Sequence, residues 1–401
     1  MSSRIEPSLL GKMSERHVLA ALQSDGPMSR AEVARCCGLS APAVSRAVGV
    51  LLRSGLVEET AEARPTGGRP ATQLRLARQN ARVVGVAIDA DRCRVVAAGL
   101  DGMLHGPPLE VPTPDTYDAL IGQLVALTKS LDRPGVSTLG VGLSLPGLLD
   151  YRTGRAVLSP NVHLTDGHQP AQDLGDALGL TCVMLHESHA LCFAEQHHGL
   201  ARGVGDFAML DIHTGVGLGV VSGGRLLTGH SGLAGELGHI TAVPDGRRCG
   251  CGNFGCLETV ASDSSLAWRV SRRLGRNVDI EEVIALARAN SIDLRADLDD
   301  VCKYLSIGVA AVINLFNPSR LFVHGRLFDA DAGLFARMVE QAGRRCLRPT
   351  FADCGIVRAT GEKVQGAVAG IIQHLTRNFA PALEHDTLSF SSETCDAIVS
   401  P

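Results

Sequence analysis

The 401-residue sequence has no long hydrophobic run and no signal-peptide core at its N-terminus. Its longest uncharged helix-like run, residues 304–319, holds 16 residues and includes Ser306, Asn314 and Asn317. A membrane-spanning helix needs about 20 predominantly apolar residues, so this run predicts a buried helix instead. Without a span or a leader, we expect a soluble cytoplasmic protein with no membrane partner.

The cysteines also lack the pattern of a disulfide scaffold. Nine of the 12 are dispersed along a chain that shows no export signal, which favours reduced thiols over disulfide bonds. The other three lie within eight residues, in the stretch HITAVPDGRRCGCGNFGCLE at positions 239–258. Sulfur at this density, after a histidine and before a glutamate, indicates a local chemical role.

Net charge is small, at −4, but it is divided unevenly along the chain. Residues 1–80 carry 11 Lys and Arg against 7 Asp and Glu, whereas the rest carries 27 against 35. A basic front part is compatible with a nucleic-acid partner, although an offset of this size is also common on a solvated surface. With 45% hydrophobic residues, the chain can bury the cores of two or three domains.

The front part has the pattern of a helix-turn-helix. RHVLAAL at 16–22 has apolar residues at helical spacing and is followed by the breaker DGP. A second helix is predicted to begin at Ser29, three residues before Glu32 in a capping-box spacing, and to stop at Gly38. A third helix is predicted in APAVSRAVGVLLRSG, residues 41–55, which has proline in its first turn.

The third helix is the candidate recognition helix, the element that enters the major groove in helix-turn-helix proteins. Its predicted buried face consists of Val44, Val48, Leu51 and Leu52. The candidate DNA contacts lie near its exposed N-terminal part and are Ser40, Ala43, Ser45 and Arg46. The alternative is a helical hairpin with no role in DNA binding, since such turns also occur in plain bundles.

The segment 56–77, LVEETAEARPTGGRPATQLRLA, alternates enough to predict a short hairpin with PTGGRP at its tip or exit. Such a hairpin would be the wing of a winged helix. Gly68 and Arg69 are predicted on a narrow extended backbone that can enter a minor groove, where arginine responds to the negative potential of A·T-rich DNA. A flexible Gly/Pro linker is the alternative interpretation of the tip, and both interpretations can hold together.

From residue 82 onward, short runs of Val, Ile, Ala and Gly alternate with helical segments such as 116–131 and 302–317. This alternation predicts an α/β fold with substantial sheets. Similar strand-turn-strand features around Asp89 and Asp211 suggest two similar lobes with a cleft between them.

The sulfur-rich stretch has the spacing of a structural zinc site. Zinc favours four tetrahedral nitrogen and sulfur ligands, and the loop 239–256 supplies such a set in His239, Cys249, Cys251 and Cys256. Its glycines, Gly250, Gly252 and Gly255, are expected to let the loop fold tightly enough for the sulfurs to meet. Because four protein ligands leave no open position for water, the predicted cofactor is a structural Zn²⁺. Buried or disulfide-prone cysteines are the alternative.

The chain resembles the ROK family of sugar kinases and sugar-responsive repressors. The resemblance runs from residue 82 to about 378 and is strongest in GLSLPGLLD (142–150), AGELGHI (234–240) and CGCGNFGCLETVAS (249–262). The front eighty residues, including GGRP, resemble the winged DNA-binding domain of the repressor branch. The resemblance implies an α/β protein with a winged helix-turn-helix followed by a two-lobed actin-like or ribonuclease H-like sugar kinase fold.

The resemblance also implies a set of sugar-binding residues: Asn161, His186, Glu187, Glu236, His239 and Glu258. Carboxylates and imidazoles suit this role, because each can bridge two vicinal hydroxyls of a pyranose. Zinc would hold the loop that directs Glu236 and Glu258, and His239 could bind metal through one ring nitrogen and sugar through the other. Taken alone, either glutamate is more simply a solvated surface acid.

The same resemblance implies that the phosphate-binding elements of a kinase are degraded here. Where active members have Asp-x-Gly-Gly-Thr, this chain has DADRC at 89–93. The second glycine-rich cradle contains His213, and the late nucleotide loop, HGRL, contains His324 and Arg326. Glu187 aligns with the catalytic aspartate of the family as a degenerate base, and its longer side chain would misplace the carboxylate.

We therefore predict a sugar-responsive transcriptional regulator, a repressor of carbohydrate uptake or catabolism genes, which is not an enzyme. Its expected partners are operator DNA, a small sugar effector and further copies of itself in a homodimer or homotetramer. Two alternatives remain: an ATP-dependent sugar kinase with a DNA-binding domain, and a regulator whose main ligand is another protein. The predicted domains are the winged helix at 1–80, the ROK domain at 81–380 and a tail at 381–401.

Overall fold

A computed structural model describes residues 7–60, 72–160 and 162–377. Its contacts divide the described residues into two compact units: one contains those up to Ala77 together with 373–377, and the other contains Arg78–Ile372. The predicted tail at 381–401 lies outside the described residues. Among the described helices, none combines the length and the apolar character that crossing a membrane requires.

The first unit, as far as the structure describes it, consists of helices and an antiparallel sheet whose strand order is β1, β3, β2. Its elements are α1 Pro7–Asp25, β1 Met28–Ser29, α2 Arg30–Cys37, α3 Ala41–Arg53, β2 Val57–Thr60 and β3 Gln73–Leu76. Helices α2 and α3 with the turn between them are the predicted helix-turn-helix. Strands β2 and β3 are the two arms of the predicted wing, and the tip PTGGRP lies outside the described residues.

Local side-chain signals set the boundaries of α2 and α3. The Ser29 hydroxyl accepts a hydrogen bond from the Glu32 N–H at 3.3 Å, and the Glu32 carboxylate accepts one from the Ser29 N–H at 2.7 Å. This is the predicted capping box, which satisfies two free backbone donors at the start of α2. Gly38, at φ 62°, ends α2 in the left-handed conformation that glycine adopts without strain.

The buried face of α3 differs from the prediction by one residue. Val44, Ala47, Val48 and Leu51 are buried, whereas Leu52 is only half-buried. These four positions follow the i, i+3, i+4, i+7 spacing of a single helical stripe, and Leu52 lies at the edge of that stripe. The prediction that Leu52 belongs to the buried face was therefore wrong, and Ala47 takes its place.

The second unit begins with a lobe built on a five-stranded sheet of order β6, β5, β4, β7, β10. Its strands are β4 Ala81–Ile88, β5 Arg92–Ala98, β6 Leu109–Pro112, β7 Ser137–Leu145 and β10 Thr181–His186, with a small hairpin of β8 Leu148–Asp150 and β9 Arg155–Leu158. Its helices are α4 Tyr117–Ser130 and α5 Pro170–Leu178, with a 3₁₀ turn at His163–Thr165.

The second lobe contains a sheet of order β13, β12, β11, β14, β15. Its strands are β11 Phe207–Ile212, β12 Val216–Ser222, β13 Arg225–Leu226, β14 Arg320–Gly325 and β15 Gly355–Arg358. The helices from residue 187 onward are α6 Glu187–His197, α7 Glu258–Ala261, α8 Asp263–Leu274, α9 Ile280–Arg288, α10 Arg295–Phe316, α11 Leu334–Gly343, α12 Arg348–Asp353 and α13 Lys363–Arg377. Two 3₁₀ turns lie at Leu237–His239 and Leu327–Asp329.

The two sheets have the same topology, which confirms the predicted duplication. In each lobe the first strand pairs antiparallel with the second and parallel with the fourth, and the fifth strand extends the parallel side. Asp89 follows directly after β4, and Asp211 is the penultimate residue of β11. The two aspartates therefore occupy corresponding positions, at the end of the first strand of each lobe.

Helix α13 lies in very close contact with its neighbours because glycines replace side chains at the points of contact. A Cβ atom on Gly142 of β7 would lie 1.9 Å from the Ala367 carbonyl oxygen. A Cβ atom on Gly366 would lie 1.8 Å from the Ala190 carbonyl oxygen of α6. Real Cβ contacts are never this short, so the packing of α13 against β7 and α6 requires glycine at both positions.

Candidate functional site

The four predicted metal ligands converge on one point. Their ligand atoms, from His239, Cys249, Cys251 and Cys256, all lie within 4.8 Å of one another. Cys249 Sγ lies 3.7 Å from His239 Nδ1, and Cys251 Sγ lies 3.7 Å from Cys256 Sγ. A tetrahedron with zinc–sulfur bonds of about 2.3 Å has edges of roughly 3.8 Å, so these separations match a tetrahedral site.

The loop folds as predicted with one difference in how its glycines act. Gly252 and Gly255 have φ values of 96° and 66°, in the region that favours glycine. A Cβ atom on Gly255 would also lie 1.7 Å from the Val243 carbonyl oxygen, so the loop closes on itself there. Gly250 does not have a positive φ; a Cβ atom on it would lie 3.1 Å from the Pro160 side chain, so close packing against Pro160 is what favours glycine there.

The donor set fits a zinc ion chemically. Burial and the hydrogen bond to Glu258 raise the pKa of the Cys249 thiol, and burial and the contact with Cys251 raise the pKa of the Cys256 thiol. Thiolates crowded beside a carboxylate are unfavourable unless a cation compensates their charge. Three sulfurs and one imidazole nitrogen are the ligands that a structural Zn²⁺ site uses.

The two ring nitrogens of His239 face different groups. Nδ1 faces the sulfur cluster, 3.7 Å from Cys249 Sγ, and Nε2 lies 3.7 Å from a carboxylate oxygen of Glu236. The geometry thus leaves one nitrogen for a metal and the other for a ligand on the Glu236 side. Glu258, the first residue of α7, accepts a hydrogen bond from the Cys249 thiol at 3.0 Å. The Glu258 carboxylate is therefore hydrogen-bonded to one of the candidate metal ligands and lies 3.9 Å from another, His239.

The other described sugar-binding candidates lie beside these residues. Burial raises the pKa of the Glu236 carboxyl, and the neighbouring His186 and His239 act in the opposite direction. Glu258 and Glu187 are also close enough to influence Glu236 electrostatically. The structure thus brings together all the predicted sugar contacts that it describes, and the remaining candidate, Asn161, lies outside the described residues.

His186 has a structural role that the sequence did not indicate. It is the N-cap of α6, and its Nδ1 accepts a hydrogen bond from the Ser188 N–H at 3.2 Å. When Nδ1 accepts, the neutral ring carries its proton on Nε2, which can then donate to a ligand hydroxyl.

Tyr151 and His189 lie next to His186 and help to hold it in place. The Tyr151 hydroxyl accepts a hydrogen bond from the His186 N–H at 2.8 Å and lies 2.9 Å from His189 Nδ1. Burial, reinforced by the nearby His186, lowers the pKa of His189 to about 3, so its ring is neutral. No spacing or motif in the sequence indicates this pair.

A cavity of about 650 Å³ lies between the two lobes and is lined by residues of both. The three segments that align with phosphate-binding elements of the family all contribute to its lining. The lining residues from these elements are Asp89, Ala90, Asp91, Arg92, His213, Thr214, His324 and Arg326.

The side chains that replace glycines in this cavity are engaged in contacts of their own. His324 Nδ1 lies 2.7 Å from Asp211, and the Arg326 guanidinium forms an ion pair with Glu281 at 2.6 Å. The charge of Lys363, together with burial, lowers the pKa of the half-buried His213. Phosphate binding requires backbone N–H groups to approach the anion closely, and bulky side chains in such segments hinder that approach.

Lys363, the first residue of α13, is a site residue that the sequence analysis missed. Its ammonium nitrogen lies 2.5 Å from Glu187, 3.1 Å from Asp89 and 3.4 Å from Asp211. Burial lowers the pKa of the ammonium, but the three carboxylates raise it well above its ordinary value. Lys363 therefore contacts both Glu187, a sugar-binding candidate, and Asp89, which lines the interlobe cavity. A lysine next to a glutamate in a helix start is too common a feature to have indicated this role.

The predicted DNA contacts at the start of α3 differ in exposure, and one of them also caps the helix. Ser45 and Arg46 are exposed, and Ala43 is half-buried. The Ser40 side chain is exposed but serves as the N-cap of α3, since its hydroxyl accepts a hydrogen bond from the Ala43 N–H at 3.4 Å. The wing candidates, Gly68 and Arg69, lie outside the described residues.

Comparison with known proteins agrees with this architecture. The chain matches the ROK family model over residues 83–376 and the MarR family model over residues 12–69. It is 27% identical to the N-acetylglucosamine repressor of Escherichia coli O6:H1 over 364 residues, which cover 88% of this chain and 89% of that protein.

Comparison with solved structures identifies the same fold. A ROK family transcriptional regulator described as a homologue of the E. coli MLC protein aligns with a TM-score of 0.76 at 25% identity, covering 92% of this chain and 98% of that one. A ROK hexokinase from Thermus thermophilus gives a TM-score of 0.62 at 29% identity, covering 74% and 99%. The predicted fold, a winged helix-turn-helix followed by a two-lobed kinase fold, is thus confirmed, and with its ROK domain spanning well over half of its length the chain belongs to the ROK family.

Proposed function

We propose that the protein is a sugar-responsive, DNA-binding transcriptional regulator, and specifically a repressor of carbohydrate uptake or catabolism genes. The observation that carries this proposal is the combination of a MarR-type winged helix and a ROK domain in one chain. The similarity to the N-acetylglucosamine repressor supports it. The family also contains a hexokinase, so membership of the family does not by itself identify the sugar. The effector is therefore proposed only as a small sugar.

The sugar is proposed to bind against Glu236, His239 and Glu258, with Asn161, His186 and Glu187 as further contacts. Vicinal hydroxyls act as donors and acceptors at once, so acceptor carboxylates and the Nε2–H donor of His186 complement them. Charge-assisted hydrogen bonds of this kind are roughly twice as strong as neutral ones, which gives the site affinity as well as orientation.

Zinc is proposed as a structural cofactor held by His239, Cys249, Cys251 and Cys256. Bound there, it would supply positive charge and a fixed tetrahedral centre to the loop that carries two of the sugar contacts. With all four positions taken by protein, the ion would have no free site for a substrate or water.

A matched pair of variants tests the sugar site. Glu236→Gln keeps the shape of the side chain but removes its charge, so we expect sugar affinity to fall by about 10-fold to 100-fold. Operator affinity should stay unchanged. Sugar binding would be measured as a rise in Tm across a panel of hexoses, N-acetylhexosamines and pentoses, because a ligand that binds only the native state must raise Tm.

The control is Glu340→Gln, which changes an exposed glutamate on α11. It should respond to the same sugar as the parent. An unchanged response in Glu236→Gln would remove the sugar site from the proposal, and absence of any sugar response in the parent would favour a protein ligand instead.

We also propose that the protein does not transfer phosphate. Bulky side chains lie in all three phosphate-binding elements, and the Lys363 ammonium holds Glu187, the degenerate base, at 2.5 Å. ATP turnover with any bound sugar should be orders of magnitude below the roughly 1–100 per second of ordinary kinases. A coupled ADP-release assay at saturating sugar checks this, with a ROK hexokinase as the positive control. Robust formation of a sugar phosphate would favour the kinase alternative.

Assembly is part of the same proposal. One winged helix buries too little surface for strong specificity, so we propose a homodimer or homotetramer that binds a near-palindromic operator. Sugar binding would change the closure of the lobes and thereby the affinity for DNA. The coupling free energy between sugar binding and DNA binding would be about 1–3 kcal/mol.

A further inference from the structure

A buried cluster of charged side chains in the described part of the ROK domain is centred on Lys363. Its ammonium is in contact with Asp89 of the first lobe, Asp211 of the second lobe and Glu187 at the start of α6. Three of these four side chains are nearly inaccessible to solvent, with exposed fractions of 3% for Lys363, 5% for Asp89 and 1% for Asp211, and that of Glu187 is 14%. One buried cation thus joins carboxylates from both lobes.

The surrounding charges do not replace this cation. Arg94 contacts Asp89 at 3.1 Å on the side of the interlobe cavity, and His324 contacts Asp211 at 2.7 Å. His213 also lies near the cluster, where the charge of Lys363 and burial lower its pKa, so its imidazole is not a permanent cation. Without Lys363, the cluster would hold three carboxylates against a single permanent cation, Arg94.

We propose that Lys363 is a built-in counter-ion that occupies a divalent-cation site formed by Asp89, Asp211 and Glu187. Three carboxylates from different elements around one buried point are the oxygen ligands that Ca²⁺ and Mg²⁺ take from proteins. The ammonium lies at their centre, so it holds both lobes together at this point and excludes a metal ion. Its removal should turn the cluster into a site for a hard cation.

The identity of the residue agrees with this role. The chain has only four lysines among its 38 basic residues, so arginine is its usual cation. At position 363, a compact ammonium with three donors can face three separate carboxylates, which a planar guanidinium cannot do without steric displacement. The nitrogen–oxygen distances of 2.5–3.4 Å place the ammonium at the common centre of these acceptors.

The cluster should keep its geometry when the lysine is shortened, because α13 is held by its glycine contacts. Gly366 and Gly142 bring the helix into backbone contact with α6 and β7 further along its length. Lys363→Ala should therefore leave a cavity surrounded by three carboxylates rather than a collapsed one. A metal ion with its bound water can fill that volume.

The test is the effect of Ca²⁺ and Mg²⁺ on thermal unfolding of the whole chain. Lys363→Ala should lower the Tm of the second unit by roughly 5–10 °C in metal-free buffer, and 10 mM Ca²⁺ should recover roughly 5 °C of that loss. Trp268, the only tryptophan in the sequence, lies in α8 of this unit and reports its unfolding by fluorescence. The parent should show no such response, because its cation site is filled.

Three further variants make the result specific. Lys129→Ala, which removes an exposed lysine from α4, should behave as the parent does. Lys363→Met retains volume without charge, so it should be destabilised but respond less to Ca²⁺. Lys363→Ala combined with Asp211→Asn should lose the response, because one carboxylate ligand is gone.

Equal stabilisation of the parent by Ca²⁺ would overturn the proposal, and so would a folded Lys363→Ala variant that shows no response. If neither lysine variant folds with Ca²⁺ present, the proposal also fails, because the metal is expected to replace the ammonium. These measurements involve neither sugar nor DNA, so the regulator function and the counter-ion role can fail independently.

Discussion

Cys251→Ser should reduce bound zinc from about one ion per chain to a small fraction of that and should abolish the response to sugar. Cys251 is only partly buried, so a serine there disturbs little except the ligand set. With one thiolate missing, the metal no longer fixes the loop that carries His239 and ends at Glu258. We expect the Tm of the second unit to fall by roughly 5–10 °C. Zinc would be measured by mass spectrometry of purified protein.

The matched control is Cys346→Ser, which changes a partly buried cysteine outside the metal cluster. This variant should retain zinc and its sugar response. Operator binding without sugar should persist in both variants, because the winged helix forms a separate compact unit. Full sugar affinity in a zinc-free preparation would contradict the structural role of the metal.

Arg46→Ala should weaken specific operator binding by about 10-fold to 100-fold, because a base contact by arginine is worth about 1–3 kcal/mol. Arg46 is exposed in the N-terminal half of α3, the part of a recognition helix that meets base edges. The operator would first be selected from a pool of random-sequence duplexes, and affinity would then be measured by fluorescence anisotropy at fixed salt. Sugar binding should be unaffected.

Arg53→Ala is the control, since Arg53 is exposed at the C-terminal end of the same helix. If Arg53 contacts a phosphate, its loss would weaken binding to all sequences alike. It would also reduce the slope of log K against log salt concentration by about one. If Arg46→Ala binds the selected operator as tightly as the parent does, or if the two variants behave alike, α3 is not the reading element.

Local signals in the sequence predict much of this protein because the interactions they describe are also local. Ser29 and Glu32 are three residues apart, and their capping box begins α2 as predicted. The predicted metal ligands after His239 lie within one loop, so their spacing alone indicates that they can meet. The buried face of α3 follows from helical periodicity in the same way, apart from the exchange of Leu52 for Ala47.

The cluster around Lys363 could not be predicted because its members are far apart in the chain. Lys363 and Asp89 are separated by 274 positions, and Lys363 and Glu187 by 176. Their contact depends on how two lobes and two helices pack, which no local pattern encodes. The N-cap role of His186 was missed for a different reason, since Ser, Thr, Asp and Asn are the residues usually expected at that position.

The repeated topology of the two lobes places a constraint on how the sequence can change. Duplication puts one aspartate at the end of the first strand of each half, Asp89 in one and Asp211 in the other, and both face the same buried point. A single lysine serves both halves, so it has no counterpart in the repeat. Replacing either aspartate alone would remove one of the carboxylates that faces the lysine, and replacing the lysine alone would leave three carboxylates facing Arg94 as the one permanent cation. Substitutions at these three positions should therefore be tolerated only together. The two halves of the domain are then constrained to change jointly at these positions, although each half has its own sheet.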